Sequence, residues 1–151
     1  MVYLLLTRII EELEIKSVLT ERGKTISAVR RKLIDKLGNM INSIVIYGSV
    51  ARGDARDDSD IDMFVVIKDD SLFRSVSDIG YSVDMKNRTH TSFFWATPRE
   101  VIRMAKNHSP FIDSVAAEGI VLYDRGTFRR LRKRLAAKSR QSALGGHPPA
   151  G

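Results

Sequence analysis

The stretch Ile44–Ile67, IVIYGSVARGDARDDSDIDMFVVI, decides how this chain is read. Two apolar runs flank a segment made almost entirely of glycine, serine, arginine and aspartate. SIVIY (43–47) is short and β-branched and reads as a buried strand; DIDMFVVI (60–67) reads as a second. GSVARGD turns the chain away from the first. Between the runs lie Arg52, Arg56 and the aspartates 54, 57, 58, 60 and 62. Such a concentration of charge calls for a counter-charge.

Asp60 and Asp62 are two apart on a strand, so their side chains share one face with Cα atoms about 7 Å apart. Ile61, Met63, Val65 and Ile67 take the opposite face and anchor the strand in the core. Two carboxylates side by side repel unless a cation lies between them. An oxygen-only donor set suits Mg²⁺ or Mn²⁺, and Mg²⁺ commonly takes one or two carboxylates plus substrate phosphates. Gly48-Ser49 sits across the cluster, directly after a buried strand. Glycine lets the backbone approach a phosphate closely, and backbone amides with the Ser49 hydroxyl can donate to it. Arg52 and Arg56 add positive charge. Phosphate donors beside a divalent-metal site describe a place for a metal–nucleoside triphosphate. The plainer reading of Asp60 and Asp62 is a solvated strand end, and that of Asp54, Asp57 and Asp58 an exposed charged loop. Ser49 lacks the histidine that a hydrolytic nucleophile needs.

The rest of the chain supplies a frame for that site. Leu5, Leu6, Ile9, Ile10 and Leu13 have helical spacing over 3–15, TERGKT (20–25) reads as a polar break, and 26–37 resumes the helical period up to Gly38. Residues 70–86 read as a helix, TSFFWA (91–96) as a third strand, and TPRE (97–100) as a capping box opening a helix to Lys106. SPFIDSVAAEG (109–119) opens another helix in the same Ser-Pro manner, and IVLYD (120–124) fits a fourth strand or an extended return. Alternating strands and helices predict an α/β (α+β) domain around a small mixed sheet. Phe93, Phe94 and Trp95 are consecutive, so they divide between two faces. His90 precedes the third strand on the side that could face the cleft, although a strand-capping role also fits it. His108 and His147 pair with nothing at ligand spacing.

A chain of 151 residues with 43% hydrophobic composition can bury one continuous core. It has no cysteine, which excludes disulfides and thiolate metal sites and suits a reducing cytoplasm. The apolar run near the N-terminus is too short and too soon charged for a signal peptide or membrane span, so no membrane partner is expected. The net charge of +7 is unevenly spread: residues 1–124 carry 17 Lys/Arg against 18 Asp/Glu, residues 125–151 carry 8 and none. The division expected is an N-terminal helical segment (1–40), a central domain (41–124), a basic C-terminal helix (125–140) and a tail of disordered composition (141–151). The basic helix could meet nucleic acid or an acidic partner, or simply be solvated.

The spacing Gly48-Ser49, ten residues, Asp60-Ile61-Asp62 resembles the signature of the DNA polymerase β-type nucleotidyltransferase superfamily. YGSVARGDARDDSDIDMFVV resembles in particular the minimal nucleotidyltransferases (MNT), many of them antitoxins paired with a HEPN-domain toxin. The resemblance implies a polymerase β-like nucleotidyltransferase fold. It also implies Mg²⁺- or Mn²⁺-dependent transfer of a nucleoside monophosphate from an NTP, with ATP expected, to a hydroxyl. Asp60 and Asp62 would then ligate the metal and carry the catalysis, and Gly48, Ser49, Arg52 and Ser59 would bind the nucleotide. A HEPN-type toxin or another protein acceptor is the implied partner, and self-association stays open. The chain departs from the pattern in one place. The family sets a third carboxylate on the next strand, where this chain has Ser92; the nearest acid, Asp84, falls in a segment that fits a helix. A silent Mg–NTP-binding regulatory module, or a nucleic-acid binder working through the basic C-terminus, are therefore the alternatives.

Overall fold

The computed structural model describes residues 20–145; the helix expected at 3–15 and the end of the tail lie outside them. Helix α1 (Glu21–Leu37) is capped by Thr20, whose side chain accepts from the Gly23 amide at 2.9 Å. The segment TERGKT is thus no break but the start of the helix. The polar residues obscured a stripe of Gly23, Thr25, Val29 and Leu33, spaced to face the core. Gly38 ends the helix with φ +50° and its amide bonded to the Ile34 carbonyl.

Strand β1 (Ile41–Tyr47) leads straight into a five-residue helix, α2 (Gly48–Arg52), then an irregular loop, then β2 (Ile61–Ile67). A 3₁₀ turn at Asp70–Leu72 precedes α3 (Phe73–Asn87), where the sequence had suggested one continuous helix. Strand β3 (Thr91–Ala96), α4 (Pro98–Lys106), α5 (Pro110–Glu118), β4 (Ile120–Asp124) and α6 (Thr127–Leu144) complete the order. The capping box at Thr97 and Glu100 is formed in both directions. The basic helix continues to Leu144, past the expected end at 140.

The sheet runs β3-β2-β1-β4, with β1 antiparallel to both β2 and β4, and β2 parallel to β3. Helices cover both faces. Val29 and Leu33 of α1 and Val76, Ile79 and Val83 of α3 pack with Ile44, Ile46, Met63 and Val65. Val101 and Ala105 of α4, Ile112 and Val115 of α5, and Phe128 and Leu131 of α6 pack with Val45, Phe64 and Val66. Central strands buried on both faces read as unbroken apolar runs, which is why SIVIY and FVVI carry no alternation. Phe93 and Trp95 join the first layer, Trp95 stacking on Phe73 at 4.9 Å, whereas Phe94 turns to Phe111 at 4.3 Å. Gly80 lets α3 lie directly on β3, since a β-carbon there would overlap the Phe93 ring. The outcome is a small mixed sheet flanked by helices, the nucleotidyltransferase-type α/β architecture the motif implied.

Candidate active site

The only polar stretch of β2 is its start. Phe64 and Val66 share the face of Asp62 but are fully buried, so the carboxylates occupy the point where that strand leaves the core. Across the β1–β2 ladder Asp62 is paired with Tyr47, the residue before Gly48. Gly48 has φ +72°, and a β-carbon there would overlap Asp62 Oδ2 and stand 3.1 Å from its Cγ. Glycine is required twice, for the left-handed backbone and for the room taken by the carboxylate. Gly48 and Asp62, fourteen positions apart in the sequence, are in direct apposition.

Burial and, secondarily, the charge of Asp60 push the Asp62 carboxyl above the ordinary carboxylate range, while Arg52 opposes the shift. Burial, with Asp62 adding to it, pushes the Tyr47 phenol up. Both shifts express burial first and the neighbouring carboxylate charge second. Arg52 itself reaches Glu118 at 3.3 Å and Asp54 at 3.4 Å; these bonds, Glu118 foremost, raise its pKa. Ser59 Oγ accepts from the Arg56 amide at 2.8 Å and the Ser59 amide donates to the Arg56 carbonyl at 3.0 Å, closing a turn immediately before Asp60. Asp54, Asp57 and Asp58 are exposed, as the plain reading expected.

Strand β3 brings two residues alongside. Its parallel register sets Ser92 beside Asp62, and His90 Nδ1 lies 3.1 Å from Asp60 Oδ1, with the His90 carbonyl accepting from the Ile61 amide at 2.9 Å. His90 is therefore a neighbour of the acids, a placement its sequence context had left undecided. Asp84 does not reach the site: it accepts from the Thr89 hydroxyl and from both the amide and the hydroxyl of Thr91, fastening the α3–β3 turn. A cleft of about 620 Å³ between α3 and β3, lined among others by Tyr81, Met85, His90, Ser92 and Phe93, opens beside this edge.

Among the described residues no group of three or more His, Asp or Glu side chains is placed to hold a metal ion. The donor set is two aspartates, Asp60 and Asp62, whose mutual repulsion a hard cation would relieve. Such a pair fits Mg²⁺ or Mn²⁺ completed by substrate phosphates. Sequence reasoning missed Arg22, whose guanidinium reaches the loop before Asp60 from helix α1. Its only local signal is the Thr20 cap, which would have started the helix early enough to include it.

No helix of the described residues is long and apolar enough to cross a membrane. On α6, Arg129, Arg130, Arg132, Lys133 and Arg134 are all exposed, and Arg132 also donates to the Ala116 and Gly119 carbonyls.

The chain is similar to several solved structures at low identity. One is a toxin–antitoxin with AMP-PNP: 15% identity over 76% of this chain and 90% of that one, TM-score 0.46. Two mutants of the toxin–antitoxin MntA-HpeT are similar at 14% and 17% identity, over 76% and 75% of this chain and 90% and 85% of theirs, with TM-scores of 0.48 and 0.45. No curated protein sequence matches. The family model described as "Polymerase beta, Nucleotidyltransferase" matches residues 31–127, more than half of the chain and the whole sheet with its connecting helices. This chain belongs to the polymerase β nucleotidyltransferase family.

Proposed function

We propose that this nucleotidyltransferase moves a nucleoside monophosphate from an NTP, with ATP the expected donor, to a hydroxyl on a partner protein. Asp60 and Asp62 hold Mg²⁺ or Mn²⁺. The observation that carries the reading is the apposition of Asp62 to Gly48, which joins a carboxylate pair to a side-chain-free turn. Gly48 leaves the backbone open to a phosphate, and the Ser49 hydroxyl donates to it. Arg52, restrained by Glu118, keeps a cation near the acids. Ser59 serves the nucleotide less directly, since its hydroxyl is already engaged in the turn before Asp60. In the transfer the acceptor oxygen bonds to the α-phosphorus while the bond from that phosphorus to the β-phosphate oxygen breaks. Pyrophosphate leaves and the hydroxyl proton passes to solvent. The divalent cation, when bound, polarises the phosphate and offsets charge on the leaving group.

A protein acceptor, antitoxin-like in character, rests on the sequence resemblance to the minimal nucleotidyltransferases. The test is incubation with each α-labelled NTP and Mg²⁺, with and without the product of a neighbouring gene. Label should move to protein, and should not do so with an Asp60→Ala/Asp62→Ala double variant. One observation favours a second reading. Ser92, a neutral residue, stands beside Asp62 where the family sets an acid, and Asp84 is committed elsewhere. On that reading the chain binds Mg–NTP and regulates a partner without transfer. NTP-dependent protection from thermal unfolding with no label transfer would select it. Binding of nucleic acid through the exposed cations of α6 is the third reading, and steeply salt-dependent affinity lost on truncation after Asp124 would support it.

A further inference from the structure

The loop that delivers Asp60 is held from outside the region matched by the family model. Arg22, on the first turn of α1, donates from Nη2 to the Arg56 carbonyl at 2.7 Å and to the Ser59 carbonyl at 3.0 Å. These carbonyls bracket the turn that the Ser59 amide and hydroxyl close on themselves, and the next residue is Asp60. Three residues along the same helix, Thr25 is fully buried. Its hydroxyl lies 2.7 Å from that of Thr89 and accepts from Asn87 at 3.1 Å. Thr89 in turn is bonded to Asp84, which also binds the first residue of β3. One helical turn thus grips the approaches to both β2 and β3, the strands that carry Asp60 and Ser92.

We infer that Arg22 is a positioning residue for the metal–nucleotide site: it fixes the Arg56–Ser59 turn and through it the Asp60 carboxylate. The inference rests on the reading of Asp60 and Asp62 as the cation-holding pair. The physical reason is the loop's own chemistry. It carries Asp54, Asp57 and Asp58, all exposed, and mutual repulsion favours opening it. A guanidinium bonded to two carbonyls opposes that with charge-assisted bonds and a nearby positive charge. Without it the loop samples other arrangements, and affinity falls by the fraction of time the loop is competent.

The test measures Mn²⁺ uptake by electron paramagnetic resonance in the wild type, Arg22→Ala and Arg22→Lys. Hydrogen exchange across 54–62 and thermal unfolding are followed in the same samples. Arg22→Ala should weaken Mn²⁺ binding about 10–100-fold, the scale of losing a group that supports a ligand. The Ser59 amide should exchange faster while the amides of α1 and α3 stay protected. Arg22→Lys, which keeps the charge but replaces the planar guanidinium, whose Nη2 makes both bonds, with a shorter ammonium, should fall between. If Arg22→Ala fails to fold, the comparison rests on Arg22→Lys. Mn²⁺ affinity equal to wild type in a folded variant overturns the inference. So does a loss of protection spread through α1 and the sheet, which would make Arg22 a general prop. Wild-type protein that takes up no Mn²⁺ overturns instead the functional reading on which the inference depends.

Discussion

Asp62 lies so close to Gly48 that a β-carbon built on the glycine would overlap its Oδ2 and stand 3.1 Å from its Cγ. Gly48→Ala therefore meets two penalties at once, a left-handed backbone and a displaced carboxylate. The backbone term alone costs about 1–3 kcal/mol. We expect the variant to fold with a lowered Tm and to lose NTP-dependent thermal protection, both read in a thermal-shift series with Mg–NTP. Unchanged protection would mean that the apposition is incidental.

Asp62 is predicted to oppose stability in the protein without metal. Its folded-state carboxyl is raised above the usual 3.8, so the native state holds that proton more tightly than the unfolded chain does. Stability from this group is present below the unfolded value and is lost as pH rises through the folded one; at pH 7 the cost is complete. Asp62→Asn should leave the Tm without metal at pH 7 unchanged or higher, and should remove the stability that this carboxyl contributes as pH falls through its raised folded-state value. It should also abolish label transfer. A marked loss of stability at pH 7 without metal would contradict this account.

Ser92→Asp tests the departure from the family pattern. The parallel register sets residue 92 beside Asp62, so a carboxylate there adds a third negative charge to the pair. The Tm without metal should drop, Mn²⁺ should bind more tightly, and transfer should rise relative to wild type. No gain in metal affinity would show that this position does not face the cation.

The basic helix α6 is built from arginines with different duties. Arg132 and Arg134 are both exposed, but Arg132 bonds the Ala116 carbonyl at 2.9 Å and the Gly119 carbonyl at 2.6 Å and lies over the Phe128 ring. Arg132→Ala should destabilise by about 1.5–3 kcal/mol, the scale of hydrogen bonds to a charged group. Arg134→Ala should stay within roughly 0.5 kcal/mol. Urea unfolding of the two variants separates a docked helix from a merely solvated one.

The parts of the site legible in the sequence were those encoded at short range. Period-two spacing read Asp60 and Asp62 as one strand face, although the strand begins at Ile61 and Asp60 stands just before it, and Gly48 could be read as a turn from its position after SIVIY. The Thr97 capping box was legible for the same reason. What escaped depends on pairing between distant segments. His90 lies beside Asp60 because β2 and β3 run parallel, and no local pattern encodes that neighbour. Arg22 reaches partners 34 and 37 residues away, from a helix whose start was hidden in a polar, glycine-containing turn. Phe64 and Val66, on the acids' own face, are buried because α4 and α5 cover that side of the sheet.

The most direct test of the central claim is a crystal structure with Mn²⁺ and a non-hydrolysable ATP analogue, read by anomalous scattering from the metal. The account predicts a manganese peak held by Asp60 and Asp62, with the triphosphate against Gly48 and Ser49. A nucleotide bound elsewhere, or manganese absent from the two aspartates at saturating concentration, would contradict it.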